Sequence, residues 1–196
     1  MTVATPTKIT LEAYLTYDDG THIRYELVDG VLVDMGTEST LNTLIAMYLA
    51  FTFADLGLPR YLMGIKHKIE VSSGYASARD PDLIVHTEES LLAIESRKEA
   101  CLFLGEPNPM LVIEVASPGT ESSDNYQRDY EQKPREYAQR GIAEYWIVDP
   151  ERAWVRVGRL TDGAYQFVAF QGDEPILSPT LSNLTLSATQ VLKAGR

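Results

Sequence analysis

The sequence predicts an α/β fold of the α+β kind, a mixed central β-sheet flanked by helices, with additional N- and C-terminal β-hairpins. Three observations carry the prediction. Met110-Leu111-Val112-Ile113-Glu114-Val115 is a nearly continuous apolar run halted by Ser117-Pro118-Gly119, the pattern of a central strand covered on both faces. Between Ser39 and Leu56 the residues Leu41, Leu44, Ile45, Tyr48 and Leu49 recur at three- and four-residue spacing, the stripe of an amphipathic helix. Asp29-Gly30 and Asp162-Gly163 each separate two strand-forming segments, and two-residue turns of this type favour φ > 0.

In chain order, Thr10 can cap a short helix over Leu11 to Leu15, and Asp18-Asp19-Gly20 breaks the chain before Ile23 to Val28. That run pairs with Val31 to Met35 through the Asp29-Gly30 turn, with Tyr25, Leu27, Val31 and Val33 alternating as in half-buried strands. The helix of Ser39 to Leu56 stops at Gly57 and Pro59. Tyr61 to Val71 reads as a strand and Ser72 to Ala78 as a turn-rich connection. Leu83 to Val85 is a short buried strand entered through Asp80-Pro81-Asp82. Glu88 to Lys98 reads as helix, and so does the polar segment Asp124 to Arg140 despite Pro134, with Thr120, Ser122 or Ser123 as caps and Gly141 as the stop. Tyr145 to Val148 is another buried strand, and Trp154 to Val157 with Tyr165 to Phe170 forms the closing hairpin.

The chain has 196 residues, 44% of them apolar, enough for one core, and neither repeat nor linker divides it, so residues 1–196 are expected to form a single domain. The lone cysteine, Cys101, cannot form an internal disulfide and reads as a small buried hydrophobe; with no basic or apolar leader in MTVATPTKIT, a cytoplasmic location is expected. No apolar stretch approaches the roughly 20 residues that cross a bilayer. Seventeen basic against twenty-eight acidic residues give a net charge of −11, which opposes tight non-specific binding to phosphate backbones but leaves room for a locally basic cleft.

The chemistry lies in the carboxylates. Asp82 heads one buried strand and Glu114 interrupts another, and a buried carboxylate costs several kcal/mol unless it is paired, hydrogen-bonded or bound to metal. Asp82 taken alone would be a strand-entry residue. Glu114, inside so apolar a strand, is hard to explain by structure. Two acidic oxygen donors on neighbouring strands suit Mg²⁺ or Mn²⁺, with the backbone carbonyl of Val115 as a further ligand. Such an ion activates water and stabilises charge developing on a phosphate.

On these residues the sequence resembles the PD-(D/E)XK nuclease superfamily and, within it, the Uma-two family of bacterial restriction-endonuclease-like proteins. The matching segments are Tyr25-Glu26-Leu27-Val28-Asp29-Gly30, Asp80-Pro81-Asp82-Leu83, Val112 to Pro118, and Lys133 to Tyr137 leading into Gly141 to Pro150. The resemblance implies a restriction-endonuclease-like core and an Mg²⁺-dependent endonuclease acting on DNA, with Asp82, Glu114 and Lys133 as catalytic residues. It implies Glu26 as an upstream acidic metal ligand beside Asp82, Glu114 and the Val115 carbonyl. The superfamily pattern has a lysine two residues after Glu114, where this chain has Ala116, and Lys133 is the matching replacement from the next helix. A homodimer is expected by analogy with nucleases that cut both strands.

His22, His67 and His86 lack a paired spacing and are expected at polar surface or edge positions, so zinc is not expected. No G-x-S-x-G elbow is present, so serine-hydrolase chemistry is unsupported, and the lack of a phosphate-cradling glycine-rich loop argues against nucleotide-driven activity. Two further functions stand beside the nuclease. One is a catalytically degenerate module binding nucleic acid or protein, suggested by Ala116 and the acidic balance. The other is a hydrolase of small phosphoesters.

Overall fold

The computed structural model describes residues 7–36 and 39–196; residues 1–6 and 37–38 lie outside that description. Helix α1 (Leu11–Leu15) is capped by Thr10, whose hydroxyl accepts the Ala13 N–H at 3.2 Å. Strands β1 (Tyr25–Val28) and β2 (Val31–Asp34) form the first hairpin, with Asp29 at φ 48° and Gly30 at φ 82° in the left-handed region that this turn requires. Helix α2 (Thr40–Asp55) follows, then a 3₁₀ turn (Arg60–Leu62), β3 (Met63–Gly64), β4 (Lys68–Val71), β5 (Ser77–Arg79) and β6 (Leu83–Val85). Next come α3 (Glu88–Leu92), β7 (Cys101–Leu102) and β8 (Leu111–Val115). A helical stretch follows: α4 (Asp124–Tyr126), a π-helical segment (Gln127–Gln132) and α5 (Lys133–Arg140). The chain closes with β9 (Glu144–Asp149), β10 (Trp154–Thr161), β11 (Ala164–Gln171) and α6 (Ala188–Leu192).

The strands form two mixed sheets where one central sheet was expected. The first has the order β2-β1-β5-β4-β7 and the second β11-β10-β9-β8-β6-β3, and among the described residues parallel pairing occurs only at β4–β7 and β8–β9. The difference originates in Tyr61 to Val71. Lys66 takes φ 63° and the His67 ring lies so close over Gly64 that a Cβ there would meet it at 2.2 Å, so the chain turns. Met63–Gly64 then pairs with β6 in the second sheet and Lys68–Val71 with β5 in the first. The chain crosses back through Asp80-Pro81-Asp82, where proline ends the ladder of β5.

Alternation along β8 and β9 sorts the second sheet's two faces. Leu83, Val85, Leu111, Ile113, Val115, Trp146 and Val148 pack under α2 and α6, together with Val155 and Val157. Ile84, Val112, Ala116, Tyr145 and Ile147 pack on the opposite side with Tyr130, Tyr137 and Ile142. Glu114 has the parity of Val112, so period-two geometry turns it toward the 124–140 helical stretch, and this parity founds the site.

Several boundaries differ from the sequence reading. Glu88 to Lys98 is helical only to Leu92, and Ser77 and Ala78, placed in a connection, begin β5. Asp124 to Arg140 is helical throughout, but as three joined segments, and Pro134 sits at the first turn of α5, where a missing N–H is tolerated. The closing hairpin is longer than read, pairing Trp154 with Gln171 through Thr161 with Ala164. His86 is fully buried instead of lying at the surface. It shares hydrogen bonds of 3.0 Å with His67 and with Ser90, and burial lowers its pKa to about 4, so it is neutral. Among the described residues no helix is long and apolar enough to cross a membrane.

Candidate active site

Every side chain singled out by the sequence, Glu26, Asp82, Glu114 and Lys133, lines one cleft of about 300 Å³ where the two sheets meet, and Val115 lines it too. Glu26 comes from β1 of the first sheet, Asp82 from the crossing into β6, Glu114 from β8, and Lys133 from the first residue of α5.

The centre of the arrangement is the Lys133 ammonium, which donates to Glu114 Oε2 at 2.7 Å. Glu26 Oε1 lies 3.6 Å from the same nitrogen and Asp129 Oδ1 3.5 Å from it. Lys133 is 3% exposed, so the solvated or surface-paired lysine that its sequence context alone suggests is not what the fold builds. Burial works against its charge, but the carboxylates of Glu114, Glu26 and Asp129 override that and raise its pKa. Glu114 Oε1 accepts the Tyr137 hydroxyl at 2.7 Å, so both carboxylate oxygens are held. Burial, reinforced by the nearby carboxylates of Asp82, Glu26 and Asp129, pushes the Glu114 carboxyl up to about 8 against the lowering influence of Lys133. Three carboxylates around one ammonium leave negative charge in excess. In Glu26 burial also pushes upward, but Lys133 and Arg79 prevail and hold it down at about 2.

Asp82 Oδ2 accepts the Val115 N–H at 2.7 Å, which fixes its carboxylate beside the end of β8. The Val115 carbonyl accepts Asn42 Nδ2 of α2 at 3.3 Å. Asp80 binds Arg24 through Oδ2 at 3.2 Å, while its Oδ1 is buried without a hydrogen-bond partner. Among the described residues no three of the Asp, Glu, His and Cys side chains lie close enough together to form a coordination shell by themselves.

Several participants were not found from sequence. Arg79, fully buried on β5, donates Nη1 to Glu26 at 2.8 Å and grips Glu136 with Nε at 2.7 Å and Nη2 at 2.8 Å. Asp129, also buried, accepts the Ser117 N–H at 3.0 Å as well as facing Lys133. Arg128 donates to Asp129, to Asn125 at 3.1 Å and to Ser117 at 3.2 Å. The i, i+4 spacing of Asp129 and Lys133 was the one available signal, and a π-helical turn between neighbouring helices commonly marks functional positions.

The raised carboxyl has a measurable consequence in the metal-free protein. Glu114 binds its proton in the fold up to about pH 8 but releases it in the unfolded chain near its ordinary 4.5, so its contribution to stability falls as pH rises between those values. In urea unfolding, Glu114→Gln is expected to gain on the wild type between pH 5.5 and 8.5. A relative loss over that interval would contradict the assignment.

Comparison with known proteins agrees with this architecture. A crystal structure described as that of a putative nuclease belonging to DUF820, from Anabaena variabilis ATCC 29413, superposes with a TM-score of 0.71 over 96% of this chain and 99% of that one, at 17% identity. That likeness shows that the two chains share a fold. No curated protein matches the sequence. The model of the Uma2 family, described as "Putative restriction endonuclease", matches residues 11–189, and with that span covered the chain belongs to the Uma2 family.

Proposed function

We propose that the protein is a divalent-cation-dependent nuclease that hydrolyses phosphodiester bonds of DNA. The observation that carries the reading is the buried Lys133 ammonium 2.7 Å from Glu114, in the cleft that also receives Asp82. The donor set is all hard oxygen, it carries excess negative charge, and it includes a buried Asp80 oxygen without a partner. It fits Mg²⁺ or Mn²⁺. With no complete shell of side chains among the described residues, the cation would be held by Asp82, Glu114 and the Val115 carbonyl, leaving positions for water and substrate phosphate, as Mg²⁺ sites commonly do. When bound, the ion supplies an activated water and neutralises charge on the phosphate. Glu26, already engaged by Arg79 and close to Lys133, serves first to orient the lysine and second as an outer ligand.

In the reaction a water oxygen bonds to phosphorus as the bond to the 3′ oxygen breaks and the departing oxygen takes up a proton. Lys133 is placed to hold the attacking water or a non-bridging phosphate oxygen, with Tyr137 and Asp129 keeping Glu114 and the ammonium in register. Incubation with supercoiled plasmid and Mg²⁺ or Mn²⁺ tests this. Glu114→Gln is expected to lower the cleavage rate by about two orders of magnitude or more; cleavage unchanged in that variant would refute the assignment.

One observation favours a non-catalytic binding module instead. Lys133 already faces three carboxylates, so its charge is spent within the fold. Calorimetric titration with Mn²⁺ separates the readings. The nuclease requires a binding event lost in Asp82→Asn and Glu114→Gln, and the module requires none.

A further inference from the structure

We infer that the nucleic acid taken by this cleft is single-stranded, or a strand end freed from its duplex, in preference to an intact double helix; the inference rests on the nuclease reading above. Three observations lead to it. Most of the groups at the site lie deep in the recess: Glu26 is 1% exposed, and Glu114, Asp129 and Lys133 are each 3% exposed, with Asp82 half-buried beside them. A phosphodiester must therefore descend below the protein surface to reach them. At about 300 Å³ the recess is at the small end of ligand pockets, and it suits one nucleotide unit. A flexible strand can lower one phosphate into such a space, whereas a duplex holds its phosphates along a stiff cylinder whose persistence length is about 150 base pairs.

The second observation is the mouth. Its walls are the end of the first hairpin, at Met35 and Gly36, and the segment carrying Pro118 and Asn125. Exposed acidic residues adjoin both: Asp34 on one side, Glu121 and Asp124 on the other. A duplex carries one charge per about 1.7 Å of axis against about 3.4 Å for each strand, so it would press roughly twice the phosphate density against these carboxylates.

The third is the disposition of cations. Arg24, just before β1, and Arg128, in the π-helical segment, line the cleft, and each is held by a carboxylate, Asp80 at 3.2 Å and Asp129 at 3.0 Å. They can trade those partners for the phosphates on either side of the one being cut, which suffices for a single strand. With a net charge of −11, the chain is poorly suited to following a duplex over a helical turn.

Cleavage of one labelled oligonucleotide, alone and annealed to its complement, tests the inference in Mn²⁺ with Glu114→Gln as control. The expected result is that the single strand is cut at least about tenfold faster than the duplex, and that Glu114→Gln cuts neither. Duplex cleavage as fast as, or faster than, that of the single strand would overturn this inference and leave the nuclease reading standing. Cleavage of neither form would overturn both. In Asp34→Asn/Glu121→Gln/Asp124→Asn the duplex rate should rise toward that of the single strand, and an unchanged ratio would overturn the acidic mouth as the discriminating feature.

Discussion

Replacing Lys133 with methionine is expected to cost about 3–5 kcal/mol of folding stability at neutral pH and to abolish cleavage. The magnitude follows from what remains. Glu114, Glu26 and Asp129 all lie within 3.6 Å of the ammonium, and each is buried. Removing the central cation leaves buried carboxylates without their shared counter-charge. Arg79 still binds Glu26 and Arg128 still binds Asp129, so Glu114 suffers most. Its carboxyl, already pushed up to about 8, rises further when Lys133 no longer lowers it. The stability deficit should therefore widen above about pH 8, where the wild-type carboxyl ionises in the fold and the variant's does not, as read by urea unfolding at pH 7 and pH 9.5. The double variant Lys133→Met/Glu114→Gln should recover much of the stability but none of the cleavage, which separates folding from chemistry. Recovery of neither would mean that Glu114 is not the group that Lys133 compensates.

Arg79→Met should be comparably damaging, again about 3–5 kcal/mol, although Arg79 was not predicted from sequence to belong to the site. Its guanidinium is fully buried and spans two carboxylates, Glu26 on β1 and Glu136 on α5, tying the first sheet to the helix that carries Lys133. Lysine keeps the charge but not the planar fork that meets both partners, so Arg79→Lys should recover less than half of the loss in thermal or urea unfolding. Full rescue by lysine would show that charge alone matters there. Because Glu26 depends on Arg79 for its placement, activity of any folded Arg79 variant should fall as well.

What the sequence disclosed follows from how each signal is generated. The two hairpins were legible because Asp-Gly turns depend on local φ, and β8 because its apolar run admits no amphipathic alternative. Glu114 stood out against that same run. The division into two sheets was hidden, since the turn at Lys66 arises in a stretch whose residues are individually strand-formers. Arg79, Asp129 and Tyr137 were hidden for another reason. Each is an ordinary residue for its element, and only tertiary placement brings them to Glu26, Lys133 and Glu114. Ala116 leaves no cation two residues after Glu114, and the Lys133 ammonium lies 2.7 Å from that carboxylate.

The crossing at Asp80-Pro81-Asp82 has a mechanical meaning. Those three residues are one of the crossings that join a five-stranded and a six-stranded sheet, the turn at Lys66 being another, and Asp82 is pinned to β8 by the Val115 N–H at 2.7 Å. A slip of one sheet relative to the other would pull on that stitch before it reached the interior of either layer. Packing changes in β4 or β7, which contribute no residue to the cleft, would thus register as altered spacing between Asp82 and its neighbours. The joint bears the load of the architecture and sets the gauge of the cleft at once.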